Sequence, residues 1–235
     1  ASITMYILCF RNKELSLRID SGRFLPTWDV VKRALHIGLP MGIQQTIMTS
    51  AYIVTTIIIA PLGTFAIAAN SFGIIVESLC YMPGYGVSDA ATTLVGQSMG
   101  AGRYELMKRF AWLSVALGMG IMTVMGVVMY VGAPFAMAMM TPSEEVRQLG
   151  VEVLRIEAFA EPMFGAAIIS YGVFVGAAKT IAPSVMNLIS MWGVRITLAA
   201  MLAPSMGLRG VWLAMCLELT FRGVIFLVKL TLWKR

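Results

Sequence analysis

Six apolar runs of helical length follow one another along this 235-residue chain with almost no interruption, and that succession leaves few folds open. They cover residues 34–60, 64–99, 105–133, 145–176, 180–203 and 208–231. Each is longer than the roughly 20 residues a helix needs to cross a ~30 Å hydrocarbon core. In lipid the backbone must satisfy its own N–H and C=O groups, which restricts spanning segments to helices or closed barrels. The strand alternation of a barrel is absent. With 58% hydrophobic and 13% charged residues, the chain is expected to be an all-α membrane protein built as a six-transmembrane-helix bundle.

The net charge of +6 could suggest nucleic acid, but its distribution argues for topology instead. Arg11, Lys13, Arg18, Arg23, Lys32, Arg33, Arg103, Lys108, Arg109, Lys179, Lys229, Lys234 and Arg235 fall on one side of the six spans; Arg147 and Arg209 fall on the other. Such asymmetry marks the basic side as cytoplasmic. The sequence therefore predicts a multi-pass protein of the plasma (inner) membrane with a cytoplasmic C-terminus and no nucleic-acid partner. The polar stretch 11–33, with leucines and isoleucine between its charges, reads as a cytoplasmic linker. Residues 1–10 read as the end of a preceding spanning helix, so the chain is expected to be part of something longer.

The second run carries Pro83, Gly84 and Gly86 near its centre. Proline removes a backbone hydrogen bond and glycine lowers the cost of unwinding, so a helix break or hinge is expected there, with a second hinge at Pro162. Irregular backbone at membrane depth is tolerated only against protein or a water-filled cavity. That is a transporter's feature rather than an anchor's. The pairs Gly38/Gly42, Gly96/Gly100 and Gly172/Gly176 predict close helix approach, and Ser143 is expected to cap the fourth helix.

Ionisable residues inside a membrane are costly and are functional candidates by default. Glu218 and Arg222, spaced i, i+4 with the acid first, are expected to form a structural ion pair. Glu152 and Arg155 are expected to neutralise each other. Glu77, Asp89, Glu157 and Glu161 remain, opposite a lone Arg195 that is expected to pair with an acid across helices. A carboxylate withdrawn from water exchanges a proton or a sodium ion readily, which is what cation-coupled transport requires. Glu157 and Glu161 are expected on one helical face just before Pro162, whose missing N–H frees a carbonyl as a further ion ligand. Gln44, Gln45, Asn70, Tyr81, Tyr85 and Asn187 are candidates to line a cavity. No nucleophile–base pairing, phosphate loop, metal-ligand cluster or dinucleotide motif is present, so neither enzymatic activity nor a cofactor is expected.

In order along the chain, Ala66-Ile67-Ala68-Ala69-Asn70, Met82-Pro83-Gly84 and Leu94-Val95-Gly96-Gln97-Ser98-Met99-Gly100-Ala101-Gly102-Arg103 resemble the multidrug and toxic compound extrusion (MATE) family. Gly172-Val173-Phe174-Val175-Gly176-Ala177-Ala178-Lys179-Thr180, Trp192-Gly193-Val194-Arg195-Ile196 and Gly210-Val211-Trp212 continue that resemblance. It implies a twelve-helix transporter made of two six-helix lobes, with residues 34–235 as the C-terminal lobe and the N-terminal lobe of the parent chain as its partner. It also implies antiport: export of small amphipathic or cationic substrates against Na+ or H+ entry, by alternating access. In family branches that couple through this lobe, the acid lies in its first or fourth helix. Here residues 34–60 carry Gln44 and Gln45 and no acid, and Glu161 lies about a turn from the fourth-helix position. Two other readings are a lipid-linked oligosaccharide flippase of the wider superfamily, which needs a more cationic cavity, and a non-transporting membrane scaffold.

Overall fold

The computed structural model describes residues 27–233. Contacts divide the chain into two units, Ala1–His36 and Ile37–Arg235. The described part of the first is Thr27 and the opening turns of a helix. Residues 1–10 and most of the 11–33 linker lie outside the described residues.

The described residues are helical almost throughout. Helix α1 (Trp28–Ile59) ends in a 3-10 turn, Ala60–Leu62, and is followed by α2 (Thr64–Gly100) and α3 (Tyr104–Met140). Then come α4 (Glu144–Glu157), α5 (Glu161–Gly176), α6 (Ile181–Leu188), a π-helical segment (Ile189–Ile196), α7 (Thr197–Met206) and α8 (Leu208–Thr231). Counting the bent pair α4–α5 as one span, six segments among the described residues are long and apolar enough to cross a membrane. The expected runs and the observed spans coincide closely. The differences are largest in the first span, whose apolar stretch begins at Gly42, and in α3, which continues through Pro134 to Met140.

The expectation of a break at Pro83 changes. Helix α2 runs without interruption through Pro83, Gly84 and Gly86. A single missing hydrogen bond does not end a helix whose neighbours hold it on both sides, and Gly84 serves packing: a methyl there would lie 2.9 Å from the Met122 sulfur. A break does lie between α4 and α5, where the axis turns by 59° just before Pro162, the other proline at which a hinge was expected. Pro162 cannot donate to the carbonyl four residues back, and the helix restarts in a new direction.

Helix α5 is the centre of the bundle, packed by α2, α3 and α8. It is apolar all round, as a helix with no water-facing side must be, and Phe164 to Phe174 is buried except at Tyr171. Close approach to α2 depends on two glycines. A methyl on Gly172 would come within 2.7 Å of the Ser88 carbonyl oxygen, and one on Gly176 within 3.0 Å of Thr92 Cα. The resulting contact is stitched by hydroxyls: Ser88 Oγ donates to Ile168 O at 3.0 Å and Thr92 Oγ1 to Gly172 O at 2.9 Å. Gly38 and Gly42, by contrast, have nothing within 4 Å, so that pair closes no contact among the described residues. Ser143 does precede α4, but its hydroxyl makes no capping bond; the local turn is held by Ser143 N–H donating to Thr141 Oγ1 at 3.2 Å.

The buried apolar residues form two clusters along the helix axes. One, around Trp212, Met122 and Leu154, fills the half nearer the α2 start; the other, around Phe226, Phe174 and Ile169, fills the half nearer its end.

Candidate functional site

A cleft of about 390 Å³ opens between α1, α2, α5 and α8. Its walls follow helical spacing: Gln44, Met48 and Tyr52 from α1; Tyr85, Ser88, Asp89 and Thr92 from α2; Phe164, Ile168, Tyr171 and Val175 from α5. Residues i, i+3, i+4 and i+7 share one face of a helix, so three such faces meeting leave a groove with a continuous lining. Gln45, Asn187 and Arg222 complete it. Ser88 and Thr92 spend their hydroxyls on α5 carbonyls. Gln44 accepts the Tyr171 hydroxyl at 3.0 Å, tying α1 to α5. Asp89 lines the cleft and is exposed, which differs from its expected burial at membrane depth.

A layer of aromatic rings bounds the cleft. Tyr81 meets Tyr85 edge-on at 5.5 Å and Phe164 edge-on at 5.7 Å between centroids. Tyr85 and Phe164 face the cleft, while Tyr81 stands within the electrostatic reach of Glu77 and Glu161.

Those two acids and Glu157 form a buried group. Glu157 and Glu161 are each 1% exposed and Glu77 is 7% exposed. Glu77 acts electrostatically on both of the others, so α2, α4 and α5 bring the three carboxylates to one region. The 59° bend separates Glu157, at the end of α4, from Glu161, at the start of α5, so they do not share the face of one helix as expected. Both Glu161 oxygens and Oε2 of Glu157 have no hydrogen-bond partner among the described residues. A buried polar group without a partner is rare, because its desolvation is uncompensated. Tight packing surrounds the bend: a methyl on Gly126 would lie 2.8 Å from the Ala158 carbonyl oxygen.

Arg195 projects from the π-helical segment into this region and is 8% exposed. Its charge reaches Glu77 and Glu157, but it forms no ion pair within 4 Å among the described residues, which corrects the expected cross-helix pairing. Its guanidinium instead lies over the Tyr52 ring, 5.7 Å from the centroid, and one nitrogen contacts the Met215 sulfur. A small cavity of about 50 Å³ beside it is lined by Tyr52, Asn70 and Trp212 among others. Asn70 accepts the Trp212 indole N–H at 3.1 Å, so its amide oxygen is committed to holding α2 against α8.

The expected Glu218–Arg222 pair is present and buried, with two parallel bonds of 2.7 Å and a third contact from the Ser190 hydroxyl to the same carboxylate. The expected Glu152–Arg155 pair is not. Glu152 accepts two bonds of 2.7 and 2.8 Å from Arg209, across helices, and Arg155 lies over the Tyr130 ring at 5.2 Å. Sequence reasoning also passed over Tyr52, which lines both the cleft and the small cavity. The signal that finds it is the i, i+4, i+8 spacing of Gln44, Met48 and Tyr52.

Comparison with known proteins agrees with this architecture. The profile of the MatE family matches residues 40–201. The probable multidrug resistance protein NorM of Xylella fastidiosa is 32% identical over 203 residues, covering 86% of this chain and 43% of NorM. That of Thermotoga maritima is 26% identical over 233 residues, covering 97% and 49% respectively. The chain thus spans about half the length of the curated relatives it matches. Among solved structures, a multidrug resistance MATE family transporter of the MOP superfamily in an outward-facing conformation superposes on 100% of this chain and 54% of its own, with a TM-score of 0.87 at 16% identity. A MOP superfamily transporter from Pyrococcus furiosus gives 0.86, also at 16% identity, over 98% of this chain and 53% of its own. At that identity the likeness is one of fold.

Proposed function

The chain belongs to the MatE family of multidrug and toxic compound extrusion proteins, and from that premise we propose that it is one six-helix half of a secondary transporter that exports amphipathic organic cations in exchange for Na+ or H+. The observation that carries this reading is the arrangement of two chemically different sites across one aromatic layer. On one side is a cleft with a carboxylate (Asp89), amides (Gln44, Gln45, Asn187) and ring faces (Tyr52, Tyr85, Phe164). Aromatic faces and one carboxylate suit a flat molecule that carries positive charge. On the other side are buried acids whose oxygens have no protein partner, suited to a small cation or a proton.

The mechanism proposed is alternating access. This half supplies the C-terminal lobe, and an N-terminal lobe of the same parent chain supplies the opposite wall of the cavity; the half-length match to the relatives supports that partnership. A cation arriving at Glu157 and Glu161 neutralises carboxylates on both sides of the α4–α5 bend, changes which bend angle is favoured, and moves the α5 wall on which Phe164 and Tyr171 hold the cleft. Substrate and ion then occupy the lobe in alternation. The clustering of basic residues at the α2–α3 and α5–α6 connections and at the end of α8 supports a cytoplasmic C-terminus in the inner membrane.

The test is efflux of a fluorescent organic cation from vesicles containing the full-length protein, with Na+ and H+ gradients imposed separately. Dye movement driven by one gradient alone supports antiport and names the ion. Movement under neither overturns the reading and favours lipid-linked substrates.

A further inference from the structure

At the basic end of the bundle, a cavity of about 360 Å³ that shares no lining residue with the cleft is lined by Met99, Tyr104, Met107, Lys108, Lys179 and Trp233. We propose that it is a binding site for the headgroup of an anionic membrane phospholipid, with the lysines on the phosphate and the acyl chains along the apolar wall.

Three observations carry it. First, the charge and the apolar surface are segregated as a lipid requires: two ammonium groups and two amphipathic rings at the rim, two methionines below. Tryptophan and tyrosine favour the depth of the headgroups, and basic pockets between spanning helices on this side of a membrane suit anionic headgroups.

Second, Lys179 is held in place rather than left free in a loop. Its ammonium lies over the Trp233 ring at 5.3 Å, and that ring packs on Phe174 at 5.2 Å, which is buried in the core. Third, the backbone that aims Lys179 is unusual. Helix α5 closes with Lys179 N–H donating to Phe174 O at 2.9 Å and with Ala178 at φ +56°. This left-handed position normally falls to glycine, and an alanine there is uncommon. Helix α2 closes in the same manner beside it, Arg103 N–H donating to Ser98 O at 2.9 Å with Gly102 at φ +70°. Two firmly closed helix ends thus frame one cavity, and their closure fixes where Lys179 leaves the bundle.

The test is native mass spectrometry of the full-length protein in detergent with phosphatidylglycerol or phosphatidylcholine added. Phosphatidylglycerol is expected to be retained in preference. Lys108→Ala with Lys179→Ala is expected to lower that retention about 25-fold, at about fivefold per lysine. Lys108→Arg with Lys179→Arg is expected to keep it, and Lys229→Ala, a basic residue on the same side outside the cavity, to leave it unchanged. Should the double alanine variant not fold, Lys179→Gln alone is expected to show about the fivefold loss. Equal retention of the two lipids, equal loss in Lys229→Ala, or displacement of bound lipid by inorganic phosphate would each overturn the proposal, the last by pointing to a free-anion site.

Discussion

Glu157 and Glu161 are each 1% exposed, yet they belong to different helices, because the chain turns through 59° between them. The turn is local in origin. Ala160 N–H bonds back to Glu157 O at 2.8 Å, and Pro162 offers no N–H to the turn behind it. One consequence is that a charge change at either acid acts on a joint, where a small shift in local energy moves a long lever.

Neutralising these acids should separate function from folding. Glu161→Gln and Glu157→Gln in the full-length protein are expected to slow cation efflux at least about tenfold, the equivalent of about 1.4 kcal/mol in coupling. Thermal stability should change by less than about 1 kcal/mol for Glu161→Gln, because no protein hydrogen bond is lost there. Dye-efflux rates and melting curves measured on the same preparation decide it. Full efflux in both variants would remove the two acids from the mechanism.

The buried Glu218–Arg222 pair predicts the opposite pattern. Glu218→Ala leaves a guanidinium buried without its partner, and removing one member of such a pair costs about 3–5 kcal/mol. Replacing both, Glu218→Leu with Arg222→Leu, should restore most of that stability, since the pair's own net contribution is small. A double-mutant cycle on unfolding free energies tests this.

The Arg209–Glu152 pair has equally short bonds but is 56% and 43% exposed, so water already screens it. Glu152→Gln is expected to cost only about 0.2–1 kcal/mol, less at high salt. Melting curves at two ionic strengths would show it. A loss as large as that of Glu218→Ala would mean that bond geometry outweighs exposure here.

Gly172 and Gly176 set the distance between α2 and α5. Gly172→Val or Gly176→Val is expected to destabilise the bundle by about 1–3 kcal/mol or prevent folding, by forcing apart backbones that Ser88 and Thr92 hold together. Gly42→Ala, at a glycine with nothing within 4 Å, is expected to stay within about 0.5 kcal/mol of the parent. Yield of monodisperse protein and thermal unfolding distinguish them.

The length and order of the spans, the membrane class, the Glu218–Arg222 pair and the close approach at Gly96, Gly172 and Gly176 were all legible in the sequence. These depend on composition over a window or on spacing within one helix, and in lipid a helix satisfies its own backbone whatever its neighbours do. Pro83 shows the limit of that reading. A proline announces a missing hydrogen bond, but only the packing of α3 and α5 around α2 decided that the helix would hold at Pro83 while the chain bends before Pro162. Charged partners obey the same division. Spacing of i, i+3 offered Arg155 to Glu152, while the fold brought Arg209 from 57 residues away into a bidentate bond. Spacing placed Arg195 opposite the acids, while the π-helical segment and α1 laid it over Tyr52. Which residues share a face is a property of one helix. Which faces meet is decided by shape and burial summed over the whole bundle, and only the tertiary structure carries that.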